Sequence, residues 1–368
     1  MSDAEFARTA TTVLVLAFVA ALLFGAVGQR TRFCTMGAIT DMVVMREPTR
    51  MRMWMLAAGT AILGFNAMVA LGWVHAADSI YAGPRLLWLS AGVGGLMFGA
   101  GMVLASGCTS KNLMRVGTGN LKALVVLLVV AFAGFATLKG ATAIVRVRFL
   151  DSVAADLGRS QDLPSLVATA GAMDPIVAAA LLGLVAGGGL VLAAVLPRSS
   201  RSGELLLGGL GIGVAVLLAW YASGVVGFVA ENPATLEPVF AGTVTHRMES
   251  LSFVAAVSYA ADYVLFLSDA SKVLTMGIVT AFGVVIGSFA SAAWSRQLRW
   301  EGFAGVEDLG THLVGGVLMG VGGVTALGCS VGQGLAGLST LSLGSLVAVA
   351  AMVTGAVATT RFQMRRLA

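Results

Sequence analysis

The sequence predicts an all-α polytopic membrane protein, an inverted repeat of about nine transmembrane helices with short re-entrant or broken helices between them. Three observations predict it. First, the 368 residues are 58% hydrophobic and 11% charged, with a mean hydropathy of +0.91, whereas a soluble domain carries roughly 25% charged residues. Second, nine apolar runs approach the roughly 20 residues that cross a bilayer. Third, a Gly-rich stretch occurs twice. Aligning Cys108 with Cys329 superimposes Gly95 on Gly316, Gly99 on Gly320, Gly101 on Gly322 and Gly107 on Gly328, a self-similarity that marks an internal repeat.

The expected spans are 11–28, 54–73, 87–107, 121–137, 175–196, 204–229, 272–294, 309–328 and 342–360. The first resembles a signal peptide in length only. It lacks a strong basic leader, and Gln29-Arg30-Thr31-Arg32 is no small-residue cleavage site, so it counts as a span. Two runs, 33–45 and 251–267, are too short or interrupted to cross and read as re-entrant pieces. The connection 139–174 carries Lys139, Arg146, Arg148, Asp151, Asp156, Arg159, Asp162 and Asp174, and reads as an exposed linker with one amphipathic helix. The chain then divides into a first repeat (1–138), a polar linker with a connecting helix (139–203) and a second repeat (204–368). Five spans separate equivalent elements, an odd number, so the second copy enters the membrane upside down. Most of the 23 Lys and Arg fall on one face, among them Arg46, Arg52, Arg198, Arg201, Arg361, Arg365 and Arg366. That bias puts the C-terminus in the cytoplasm and the N-terminus outside.

Several function classes are excluded on composition. Net charge is +5, with no basic patch interleaved with aromatics, so nucleic acid is not an expected partner. The three cysteines include no C-x-x-C pair, and His75, His246 and His312 lie far from them, so neither a disulfide framework nor a metal site is expected. There is no Walker A motif, and no cofactor is implied.

The cysteines are the strongest functional lead. Cys34, Cys108 and Cys329 each sit beside glycine or a small polar residue at the expected start of a short helix. Free cysteine also packs as a small hydrophobe, but that does not explain two of them at equivalent positions beside backbone breaks at Gly107, Gly328, Gly332 and Gly334. A neutral thiol is a weak donor that does not repel an anion. A line of thiols can therefore hand along a soft, sulfur-bearing anion without trapping it, aided by the partial positive charge of half-helix N-termini. Thr35, Thr109, Ser110 and Ser330 follow the cysteines and either cap those helices or donate directly. Lys111 is three residues past Cys108, where an isolated ammonium needs a cavity or interface. Arg30 and Arg32 either gather anions or anchor the helix by the positive-inside rule. Asn112 and Gln333 match across the repeats and either bridge helices or touch solute.

Other features read as structural. The G-x-x-x-G pairs are helix-packing faces. Asp41, Asp262 and Asp269 are expected at solvated interfaces, and Trp54, Trp73, Trp88, Trp294 and Trp300 in an aromatic belt.

Three segments together resemble the YeeE/YedE sulfur-transport family: Gly28-Gln29-Arg30-x-Arg32-Phe33-Cys34-x-x-Gly37-Ala38-x-x-Asp41, Ala105-Ser106-Gly107-Cys108-Thr109, and Ala326-Leu327-Gly328-Cys329-Ser330-x-Gly332-Gln333-Gly334. The resemblance covers both repeats. It implies an inner-membrane permease for thiosulfate or a related sulfur anion, not an enzyme, with nine spans and short helices narrowing from both faces. It also implies that Cys34, Cys108 and Cys329 guide the anion by S–H hydrogen bonds, and that a small cytoplasmic TusA-type sulfur carrier is a partner. The alternative is a membrane sulfurtransferase, in which an activated thiolate takes the outer sulfur as a persulfide.

Overall fold

The computed structural model describes residues 2–171, 173–197, 202–232, 235–269 and 272–367. Arg198 and Arg201, counted above on the basic face, lie outside the described residues. The protein is all-α apart from two small two-stranded ribbons, and it is a polytopic membrane protein.

The first half runs α1 (Asp3–Arg30), the short α2 (Thr35–Thr40, continued as a wide turn through Asp41–Met45), α3 (Thr49–Ala70), α4 (Trp88–Leu104), the short α5 (Thr109–Gly117) and α6 (Leu121–Lys139). After α7 (Ala141–Val145), α8 (Leu163–Ala170) and α9 (Pro175–Val195), the second half runs α10 (Gly203–Tyr221), the short α11 (Val254–Leu265), α12 (Met276–Trp294), α13 (Val306–Thr325), a wide helical piece over Gly332–Gly337, and α14 (Leu343–Leu367). Short helices thus form at both expected re-entrant runs.

Among the described residues, eight helices are long and apolar enough to cross a membrane, with α1 and α4 each taken together with the short helix that follows. The ninth expected span, α13, is 20 residues long but carries Glu307, Asp308 and His312 in its first two turns. These polar groups dilute its hydropathy. Asp308 is held by Lys122 at 2.6 Å.

Packing repeats across the two halves. Helix α1 lies on α12 as α10 lies on α3, and α4 lies on α14 as α13 lies on α6. The two self-related pairs, α1 with α10 and α4 with α13, also pack together. Glycine makes the last crossing possible. A Cβ at Gly94 would sit 2.7 Å from the Gly322 carbonyl oxygen, and one at Gly322 would sit 2.7 Å from that of Gly94. Gly101 and Gly315 repeat the relation at 2.7 and 2.8 Å. With no side chain between them, the two backbones touch. The connecting helix α9 packs on α3 by the same device, Gly59 against Gly187.

The 139–174 connection departs from a freely exposed linker. Strand β1 (Arg85–Leu86) pairs antiparallel with β2 (Ala155–Asp156). Gln161 and Asp162 are buried, and the Gln161 carbonyl and side chain accept from Leu343 N (3.1 Å) and Gly344 N (3.0 Å) at the start of α14. Unpaired backbone at that junction needs partners, and the linker supplies them. The second ribbon, β3 (Phe228–Val229) with β4 (Val239–Phe240), leads into α11.

Candidate substrate pathway

Three helices end in the same way, with a left-handed residue two positions before a cysteine. Arg32, Ser106 and Leu327 adopt left-handed backbone, with φ of 54°, 53° and 57°. The next amide in each case reaches back five residues: Phe33 N to Gly28 O (3.0 Å), Gly107 N to Met102 O (2.8 Å) and Gly328 N to Gly323 O (2.8 Å). This is the Schellman ending, which closes a helix and turns the chain sharply. Left-handed backbone costs a non-glycine residue about 1–2 kcal/mol, so three such residues at equivalent places mark strain kept for a purpose.

The cysteines then open the next helical pieces. Cys34 is the N-cap of α2 and its Sγ accepts from Gly37 N at 3.3 Å. Cys329 makes the matching bond to Gly332 N at 3.4 Å and a second to Phe253 N at 3.4 Å. Cys108 is the N-cap of α5, but its Sγ instead lies 3.2 Å from Ser110 Oγ. Cys34 is partly exposed, whereas Cys108 and Cys329 are buried. Cys108 lies within electrostatic reach of both Cys34 and Cys329. Cys34 has no thiol counterpart in the second half. Phe253, the N-cap of α11, occupies the matching position.

Two spaces adjoin these elements. A cleft of about 560 Å³ reaches Cys34 and is lined by Arg32, Arg50, Lys111, Arg115, Arg296 and Arg299, with Glu301. Lys111 is within electrostatic reach of Cys34 and Cys108. A second cavity of about 180 Å³ lies against α11, α12 and α13, and is lined by Leu327, Gly328, Ser252, Tyr259 and Glu249. Burial pushes the Glu249 carboxyl above its ordinary range, against the pull of Thr245, which donates its hydroxyl (2.6 Å) and backbone N–H (3.0 Å).

The residues singled out in the sequence distribute as follows. The Asn112 amide donates to Gly107 O (2.9 Å) and Cys108 O (3.2 Å). Gln333 donates to Ala326 O and accepts from Ser345 Oγ at 2.6 Å. Both amides therefore hold the carbonyls of the breaks. Thr109 and Ser330 are buried and their hydroxyls have no hydrogen-bond partner. A Cβ on Gly332 would meet Ser252 Oγ at 2.5 Å, and one on Gly334 would meet the Trp54 ring at 3.1 Å. Arg30 is exposed and does not line the cleft.

Two expectations are corrected. Asp41 and Asp262 are not solvated. Each is 9% exposed, paired with Arg50 at 3.1 Å and Lys272 at 2.5 Å respectively. A buried carboxylate needs such a partner. The pairs occupy matching places, each joining a short helix to the start of the following span. Trp54 leaves the interfacial belt: its Nε1 is buried without a partner, beside Thr35 and Ser330. Arg50, Arg115, Arg296 and Arg299 reach the cleft from separate elements, a convergence that spacing along the chain does not reveal.

Two halves with matching helix packing, whose helices break beside cysteines, fit the class of membrane transport proteins. The sequence profile described as sulphur transport matches residues 30–358, and the chain belongs to that family, the YeeE/YedE sulfur transporters. It is 24% identical over 361 residues to a protein named thiosulfate transporter TsuA from Escherichia coli (strain K12), covering 94% of this chain and 93% of the relative. It is 26% identical over 347 residues to a thiosulfate transporter TsuA from Spirochaeta thermophila, covering 90% of this chain and 94% of the relative. The relatives carry transporter names, consistent with a chain that is not an enzyme.

Proposed function

We propose that this protein takes up thiosulfate, or a closely related inorganic sulfur anion, across the bacterial inner membrane. The observation that carries the reading is the set of three matching helix endings, each of which puts a cysteine at the start of the next helical piece, with Cys34 on the basic cleft; the three thiols are read as a file along the path. Each thiol offers a donor that holds an anion weakly enough to release it. Lys111 and Arg32 receive the anion in the basic cleft once it has passed the thiols, and Asn112 and Gln333 keep the breaks in shape. Arg30 adds positive charge at that face. The paired halves 1–138 and 204–368 move against each other around this centre, with 139–203 joining them. The Lys and Arg bias supports a cytoplasmic C-terminus and an outside N-terminus. In that orientation the basic cleft opens inward, where a small TusA-type sulfur carrier would collect the product.

A second reading rests on Lys111, the cation beside Cys34 and Cys108. It would favour a thiolate that attacks the outer sulfur of thiosulfate, forming a cysteine persulfide as the S–S bond breaks and sulfite leaves. One experiment separates the two. Purified protein in sealed liposomes is given thiosulfate labelled on its outer or its inner sulfur. Equal entry of both labels supports the permease. Labelling of protein or lumen by the outer sulfur alone would overturn it in favour of transfer.

A further inference from the structure

Each pathway cysteine is followed by a hydroxyl residue: Thr35, Thr109 and Ser330. All three are at least nine-tenths buried, at 9%, 0% and 2% exposure. None of the three hydroxyls has a hydrogen-bond partner. That recurrence is unusual, because buried polar groups are nearly always paired and an unpaired one destabilises the fold. Several other membrane hydroxyls are satisfied by the carbonyl four residues back, as Thr60 is by Leu56, Thr137 by Ala133 and Thr325 by Val321, although Thr360 on α14 is also buried without a partner. A residue placed directly after a sharp break has no helical carbonyl four residues behind it, so the break itself leaves the hydroxyl free.

Thr35 and Ser330 come from opposite halves yet line one cavity of about 40 Å³. Trp54 lines it too, with its Nε1 likewise unpartnered. A single water needs about 10–15 Å³, so the space exceeds one water; the rest of its lining is largely apolar and includes Met51, Met102 and Met352, and no cysteine lines it.

We infer that the thiols and hydroxyls divide the anion between them: Cys34, Cys108 and Cys329 take the soft terminal sulfur, and Thr35, Thr109 and Ser330 donate to the hard oxygens, with Trp54 Nε1 completing the set. This deepens the transport reading and rests on it. The pathway thereby selects inorganic anions that carry both a terminal sulfur and an oxyanion end. Anions with oxygens alone bind and compete, but pass poorly.

The test is liposome uptake by Thr35→Val, Thr109→Val and Ser330→Ala beside wild type, with Thr35→Ser and Thr109→Ser as hydroxyl-retaining controls. Loss of one donor to an anion should raise the KM for thiosulfate about tenfold or more, and competition by sulfite should weaken in parallel. The serine variants should stay within about twofold of wild type. Without anion, the valine and alanine variants should unfold no more readily than wild type, since they remove an unpaired group. Unchanged KM in all three, or serine variants as impaired as valine ones, would overturn the inference while leaving transport standing. A wild type that imports neither sulfur label would remove the transport reading, and the inference with it.

Discussion

Cys108 and Cys329 should respond differently to alanine, because their sulfurs do different structural work. Cys329 Sγ accepts from two buried backbone amides, Phe253 N and Gly332 N, each at 3.4 Å. Its removal orphans both donors, and a buried unpaired N–H costs about 1–3 kcal/mol. Cys329→Ala is therefore expected to lose about 2 kcal/mol or more of stability, as well as transport. Cys108 Sγ meets only a hydroxyl, Ser110 Oγ at 3.2 Å, which can turn to another acceptor. Cys108→Ala should fold nearly as wild type, yet lose one hydrogen bond to an anion, worth about 1.5–3 kcal/mol. That corresponds to a roughly 10- to 150-fold fall in uptake efficiency. Serine separates the effects further: Cys329→Ser keeps an acceptor for both amides and should recover stability without recovering full uptake. The assay pairs thermal unfolding in detergent with thiosulfate uptake in liposomes. Cys108→Ala transporting at the wild-type rate would refute the thiol file. Equal unfolding midpoints for the two alanine variants would refute the acceptor role of Cys329.

Three further outcomes follow from the same geometry. Lys111→Met should reduce uptake most at low ionic strength and little at high salt, as expected when a cation in the basic cleft attracts the anion; complete loss at all salt concentrations would point to thiolate activation. Gly101→Val should destabilise the fold because its Cβ meets the Gly315 carbonyl oxygen at 2.7 Å, whereas Gly92→Ala, with nothing within 4 Å, should not; unfolding curves compare them. The third concerns Glu249, whose carboxyl is raised by burial. The folded state favours the protonated form, so stability is present at low pH and is lost as pH rises through the folded value. Glu249→Gln should therefore raise the unfolding midpoint at neutral pH, and match wild type below the ordinary glutamate value of about 4.3. A variant less stable than wild type at neutral pH would contradict this.

Membrane embedding follows from the sequence because it depends on composition along short windows. A run of some 20 apolar residues has no other solvent to satisfy it. The repeat was equally legible, since Gly95, Gly99, Gly101, Gly107 and Cys108 recur with unchanged spacing in the second copy. The helix breaks beside the cysteines were visible too, as glycine and small polar residues interrupting apolar runs. What the sequence left open was which groups meet across the repeats. That Asn112 and Gln333 turn to the break carbonyls, that Asp41 finds Arg50 and Asp262 finds Lys272, and that Trp54 lies beside Thr35 and Ser330 are facts of packing. Phe253, the counterpart of Cys34, shares no side-chain chemistry with it, so only the position of α11 reveals the relation. The α4–α13 crossing explains the division. Gly94 and Gly322 are remote in sequence, yet their backbones touch, and that contact fixes where Cys108 and Cys329 stand. Spacing along the chain announces that a close crossing will form, but the partner at the crossing is chosen by the whole packed bundle.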